Sequence, residues 1–284
     1  VTAPAALFAG LLHDAALFPP GDAPMARALP EHRAHRAGPR ARWVGPFLVA
    51  ADRLPELRAA LDAEHGGAPP LEVAVTVPAG AGGVAGAVAA VRADPRLRLA
   101  GVEVPAGGGD PAAAVRRAAD ALTAALPEGA RGHVELPPGT DPRPLMAALR
   151  AAGHGAKVRT GGLAAAAFPT VQELARVLAA AAASGVPLKC TAGLHHAVRH
   201  TDPATGFDHH GFLNVLLAAR AAAADPDPGA AAAALAERDA ARLARAAAAL
   251  DDAGARAARA VFTGFGTCSV AEPLADLAAL GLLR

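Results

Sequence analysis

Eight times along the chain a short apolar or β-rich run gives way to turn residues and then to an alanine- and leucine-rich amphipathic stretch. The runs are AALF (15–18), RWVGPFLV (42–49), LEVAVTV (71–77), LAGVEV (99–104), GHVEL (132–136), AKVRT (156–160), PLKCT (187–191) and RAVFTG (259–264). Period-two or continuous apolar runs read as strands, and stretches such as PAAAVRRAADALTAAL (111–126) and TVQELARVLAAAAAS (170–184) read as helices. Strands that alternate with helices need crossover connections, so they form a parallel sheet with helices outside. Eight such units in 284 residues predict closure as a single α/β (β/α)8 TIM barrel spanning 1–284, with an extra helical segment at about 229–256 before the eighth strand. An open doubly wound sheet is the competing architecture.

Three of the runs echo one another: VTVPAG, VEVPAG and VELPPG each meet proline at the strand's end, where it stops the ladder. The echo places Thr76, Glu103 and Glu135 at equivalent positions. In GTCSVAEPLADLAALG, Ser269 and Glu272 have capping-box spacing, and the N–H groups of such a helix start can hold an anion.

Composition narrows the function. A net charge of +1 offers no broad field for nucleic acid or an anionic membrane. The apolar stretch AALFAGLL (5–12) is too short to span a bilayer and has no basic flank. Two cysteines, Cys190 and Cys268, make no disulfide framework, which fits a reducing cytoplasm. Cys190 is expected to face the helices, buried and inert. The expected partner is a small-molecule substrate; an alanine-rich exterior also suits a homo-oligomer.

The chain holds 27 lysines and arginines together, yet only Lys157 and Lys189 are lysine. In a barrel the C-terminal ends of the strands carry the active site. Residues two apart on a strand share a face. Adjacent strands four to seven therefore offer Glu103, His133, Glu135, Lys157, Arg159 and Lys189 to one small space. Ion pairing alone would be better served by arginine. Lysine has a pKa that falls near another cation or in an apolar wall, leaving an amine that attacks carbonyls. The pattern therefore favours catalysis by Lys157 and Lys189, with Glu135 or Glu103 as general base and Arg159 clamping an acidic group bidentately.

KVRTGG, LKCTAG and FGTCS resemble the motifs on strands six, seven and eight of deoxyribose-phosphate aldolases, class I aldolases on a (β/α)8 barrel. A glycine follows each lysine by four positions, Gly161 after Lys157 and Gly193 after Lys189. The resemblance implies that Lys157 forms a Schiff base and that Lys189 lowers its pKa and moves protons. It also implies that backbone around Gly161, Gly162, Gly193, Thr267 and Ser269 holds a phosphate or carboxylate. That family's central acidic relay has no aspartate counterpart here; Glu103 or Glu135 would substitute. Arg159 and the histidine pair have no counterpart there. Separately, HDAALFPPG (13–21) and GFGTCSVAEPLADLAALG (264–281) resemble a bacterial family of barrel proteins that carries no assigned activity.

The loop GLHHAVRHTDPATGFDHHGFLNV contains His195, His196, His200, His209 and His210 and should overhang the mouth. His195 and His196 are candidate substrate contacts. So is Asn214, the sole asparagine. Two readings compete with a cofactor-free lysine imine. One is a metal-dependent lyase, isomerase or hydrolase whose divalent ion is held by Glu103, Glu135, His195 and His196. His13-Asp14 is the nearest substitute there for the HxH of barrel hydrolases. The other is a non-catalytic small-molecule-binding barrel. GAGGVAG (80–86) approaches a dinucleotide fingerprint, but its spacing is imperfect.

Overall fold

The computed structural model describes residues 2–64 and 67–283. Eight parallel strands close into a barrel with helices on the outside. In chain order the barrel strands are β1 (Leu12–Asp14), β2 (Val44–Ala50), β3 (Leu71–Thr76), β4 (Leu97–Pro105), β5 (Arg131–Glu135), β6 (Gly155–Arg159), β7 (Leu188–Thr191) and β10 (Phe262–Thr267). The two short strands β8 (His200–Thr201) and β9 (Asp208–His209) form a separate antiparallel pair in the loop after β7. The open-sheet alternative is excluded, because β1 pairs with both β2 and β10.

The helices are α1 (Met25–Ala37), α2 (Leu54–Asp62), α3 (Val84–Arg92), α4 (Pro111–Ala125), α5 (Pro142–Ala152), α6 (Val171–Ser184), α7 (Phe212–Ala224), α8 (Pro228–Ala236), α9 (Ala240–Ala248), α10 (Asp252–Val261) and α11 (Ala271–Ala279). Their starts follow from side-chain caps. Asp110, Asp141, Asp227, Asp239 and Asp251 each accept a backbone N–H of the first turn, satisfying donors that the helix cannot. Thr170 and Glu173 make a reciprocal capping box on α6. No helix among the described residues is long and apolar enough to cross a membrane.

Two strand expectations move. The first strand is Leu12–Asp14, and AALF lies in the turn beyond it. The ladder ends there because Asp14 Oδ1 takes the Ala16 N–H at 3.1 Å. At the other end Arg259–Val261 completes α10, so the last strand starts only at Phe262. Apolar runs cannot separate a strand from the helix that feeds it. The extra segment before that strand is three helices, α8 to α10.

The Ser269–Glu272 box is half made. Ser269 Oγ accepts from Glu272 N at 3.3 Å, but α11 is capped at Val270 and the Glu272 carboxylate turns to His195. The echo of the three proline-ended strands also fails as a register. Thr76 does pair with Glu103, but Glu103 pairs with His133, and Glu135 pairs with Pro105. Glu135 thus stands two residues nearer the mouth than the echo implies. Strands of a closed barrel are tilted and staggered, so matching turns need not match in register.

Candidate functional site

The lysines sit side by side: Lys157 pairs with Glu135 on one flank and with Lys189 on the other. Between them stands one carboxylate. Glu103 Oε1 accepts a hydrogen bond from Lys189 Nζ, and Glu103 Oε2 lies 3.0 Å from Lys157 Nζ. Lys157 Nζ also lies 3.0 Å from Glu135 Oε2, and Arg159 Nε donates to Glu135 Oε1 at 3.2 Å. Side-chain exposure rises along this row, from 1% at Lys189 and 2% at Glu103 to 8% at Lys157, 21% at Glu135 and 51% at Arg159. The row therefore runs from the sealed interior to solvent, and a molecule entering from the mouth meets Lys157 before Lys189.

The interior continues beneath Lys189. His13 Nδ1 stands 2.7 Å from Lys189 Nζ, and His133 is buried. His13 pairs in register with Gly266, and Lys189 with Gly264. The opposite wall is apolar: Ala15, Leu48 and Ala74 form a cluster of their own, with Phe18 packed on it. A Cβ on Gly266 would stand 3.6 Å from Ala15 Cβ and 3.9 Å from Thr191 Oγ1, so the two walls adjoin at that glycine.

Arg159, half exposed at the rim, gives the mouth a guanidinium that suits an acidic ligand. Burial opposes ionisation of Glu103, but the adjacent Lys189 and Lys157 overcome it and hold its carboxyl far below the usual range. The lysines respond in opposite directions. Burial disfavours the Lys157 ammonium, yet Glu103 and Glu135 together outweigh it and raise its pKa. For Lys189 burial wins over the single carboxylate Glu103, and its pKa falls. The field thus weakens the proton's hold on Lys189, whereas the aldolase resemblance assigns the lowered pKa to Lys157. Burial and the charge of Lys189 press His133 down to about 3, so it is neutral.

The glycines that follow the lysines have a packing reason. Gly193 has φ +74°, and a Cβ there would stand 2.6 Å from the Thr160 carbonyl oxygen; a Cβ on Gly161 would stand 2.7 Å from Gly193 Cα. The loops after β6 and β7 therefore touch backbone to backbone. Gly162 lies in the same crowded loop, where a Cβ would meet Ala167. Ala192 shares the left-handed conformation at φ +59°, which costs a residue with a Cβ some strain. Thr267 is buried, with its hydroxyl donating to the Ser269 carbonyl at 2.8 Å.

The histidines of the loop pack on one another: the His200 ring stands 4.9 Å from His196 and 5.2 Å from His209, centroid to centroid. His195 Nδ1 lies 3.6 Å from Cys268 Sγ and 3.5 Å from Glu272. His196 is half exposed and bonds Asp276 at 3.2 Å. His210 Nε2 faces the Pro169 carbonyl, and the His209 ring packs on Phe168. Glu103 and Glu135 are meanwhile engaged by the lysines. Among the described residues no group of three or more His, Cys, Asp or Glu side chains comes together as a metal site. Asn214 is fully buried. Its amide accepts from Arg199 N and donates to the carbonyls of Ala234 and Glu237, which ties the loop to α8. Cys190 is buried, and burial pushes its thiol up to about 12. GAGGVAG forms a turn and the start of α3, on the third unit.

No protein-family model matches the chain, and no curated protein matches it. A groove of about 1240 Å³ runs between the loop after β5 and α6 and reaches Glu135 and Arg159, and neither lysine lines it.

Sequence reading offers His13 only beside Asp14 in the metal alternative and not beside Lys189, because the strand expected at AALF leaves His13 ahead of it. The available signal was the pair of inward glycines in FTGFGT, which leave room for a ring across the bore.

Proposed function

We propose that the chain is a class I, aldolase-like lyase that makes or breaks a carbon–carbon bond beside a carbonyl, through an imine on Lys157. The observation that carries this reading is the sharing of one buried carboxylate, Glu103, by the only two lysines in the chain. The resemblance of KVRTGG and LKCTAG to the deoxyribose-phosphate aldolase motifs supports it. Glu103 then serves as the acidic relay on a central strand.

The steps balance. The Lys157 ammonium passes a proton, uphill, through the Glu103 carboxylate to the amine of Lys189, and the site's total charge is unchanged; addition to the carbonyl draws the step forward. The freed amine adds to the substrate carbonyl, and the adduct takes up a proton and loses water to give the iminium. In the cleavage direction Glu135 removes the proton of the β-hydroxyl. The carbon–carbon bond breaks, and its electron pair flows into the iminium to form an enamine. Protonation of the enamine carbon and hydrolysis return the amine. Arg159, half exposed at the rim, binds the acidic group of the substrate. The apolar wall of Ala15, Leu48, Ala74 and Phe18 takes the rest.

Borohydride trapping tests the reading. Protein is mixed with small aldehydes and 2-oxo acids, reduced, digested and weighed peptide by peptide. A mass gain on the peptide containing Lys157 is expected. A gain on Lys189 moves the nucleophile one strand along. No adduct on either lysine across the panel leaves ion pairing as the role of the cluster.

A further inference from the structure

The lysines hang on the same carboxylate, and what separates them is the second partner. For Lys157 it is Glu135, at 3.0 Å. For Lys189 it is His13, at 2.7 Å. We propose that His13 is a positioning residue that leaves Lys189 the weaker base of the pair, and so the lysine present as an amine, a neutral imidazole standing where Lys157 has a second carboxylate. Its use in catalysis rests on the imine reading; the inequality of the two lysines does not.

The backbone is built to let this contact form. Strand β10 lies between β1 and β7. Its inward positions at this level are Gly264 and Gly266, which pair with Lys189 and His13. Phe265 between them points outward and stacks on Phe212. With no side chain on the intervening strand, His13 reaches across it to Lys189. The ring is confined as well. A Cβ on Gly264 would stand 2.7 Å from His13 Nε2, and one on Gly45 of β2 would stand 2.7 Å from His13 Cδ2. Real Cβ contacts are not that short, so both glycines are conditions for the ring's position.

The charge state follows from the surroundings. Burial first, then Lys189, His133 and Arg259, press the imidazole well below its ordinary value, against the single opposing charge of Glu103. His13 is therefore neutral, with Nδ1 facing Nζ as acceptor and the proton on Nε2. An ammonium and an amine both have an N–H to give. Nζ thus keeps its bond to His13 while it exchanges a proton with Glu103. A second carboxylate would hold the ammonium instead, as Glu135 does for Lys157.

The two-lysine composition makes this measurable. Protein labelled with nitrogen-15 at lysine Nζ yields one side-chain signal for each lysine. Titration of the wild type, His13→Asn and His13→Asp reads the proton affinity of each lysine directly. Lys189 is expected to release its proton at lower pH than Lys157 in the wild type and in His13→Asn, which keeps a neutral acceptor. In His13→Asp the affinity of Lys189 should rise about tenfold or more, towards that of Lys157. An unchanged order in His13→Asp overturns the proposal, and so does a rise of the same size in His13→Asn. Histidine nitrogen shifts of the wild type give a readout that needs no variant. A neutral Nε2–H tautomer of His13 at pH 7 is expected, and an imidazolium there sinks the idea. Failure of every carbonyl to trap, with the titration order as expected, removes the imine reading alone. Trapping at Lys157 with no response to His13→Asp removes the role of His13 alone.

Discussion

Glu103 on β4 accepts a hydrogen bond from Lys189 on β7, although two strands separate them in the barrel. The contact crosses the bore, and it turns a row of inward side chains into one electrostatic unit. Changes to any member should be felt by the others.

Glu103→Gln removes the charge that both lysines share. Breaking a buried pair leaves an uncompensated ion, at a cost of about 3–5 kcal/mol. Urea denaturation should show that loss at pH 7, and borohydride trapping at Lys157 should fall with it. A variant as stable as the wild type would mean that the lysines rest neutral without Glu103.

Lys189→Met leaves Lys157 and its two carboxylates in place but removes the proton acceptor. Trapping at Lys157 should slow by about a hundredfold, within the range for loss of a general acid–base group. Stopped-time reduction followed by peptide mass spectrometry measures it. An unchanged rate would show that Lys157 loses its proton directly to solvent.

Arg159→Met should weaken capture of 2-oxo acids by about 10–100-fold, the worth of one charge-assisted hydrogen-bonded contact. Capture of a neutral aldehyde should change far less. Concentration dependence of trapping separates these, and equal losses for both would remove Arg159 from substrate recognition.

Asn214→Ala should cost stability rather than chemistry. It strands backbone groups of Arg199, Ala234 and Glu237 that the amide now satisfies, at about 1–3 kcal/mol for each group left buried. Denaturation midpoints should drop while the site of trapping stays the same. The reverse pattern would return Asn214 to the substrate.

Stability should fall with acid before the carboxylates titrate. His133 at about 3 and His210 at about 4 stay neutral in the fold, yet in the unfolded chain they take protons near pH 6.5. The unfolded state binds more protons in that window, so stability is lost as pH falls through it. Glu103 and Glu135, held low, extend the loss below the usual carboxylate range. Urea melts at pH 7 and pH 5 check the sign, and His133→Gln should flatten the slope.

Much of the barrel is legible along the chain because strand and helix periodicities are local. Alternation places Glu103, Glu135, Lys157 and Lys189 on inward faces without any knowledge of the neighbours. The boundaries that failed, at AALF and RAVFTG, are those where an apolar run continues past the strand into a turn or back into a helix. The glycines of KVRTGG and LKCTAG could be counted but not interpreted, since the closeness of Thr160 to Gly193 belongs to two loops. Asn214 stood out by rarity, and rarity says nothing about which carbonyls surround an amide.

By itself the order of residues determined eight β/α units, an inward row of acids and lysines on the middle strands, and a chain with two amines to spend. Folding decided which partner each amine received. Closure brings β1 beside β10, and the stagger of tilted strands sets His13 rather than a carboxylate against Lys189. Proton affinity depends on charges within a few ångströms through space, and distance through space is what a linear pattern does not contain.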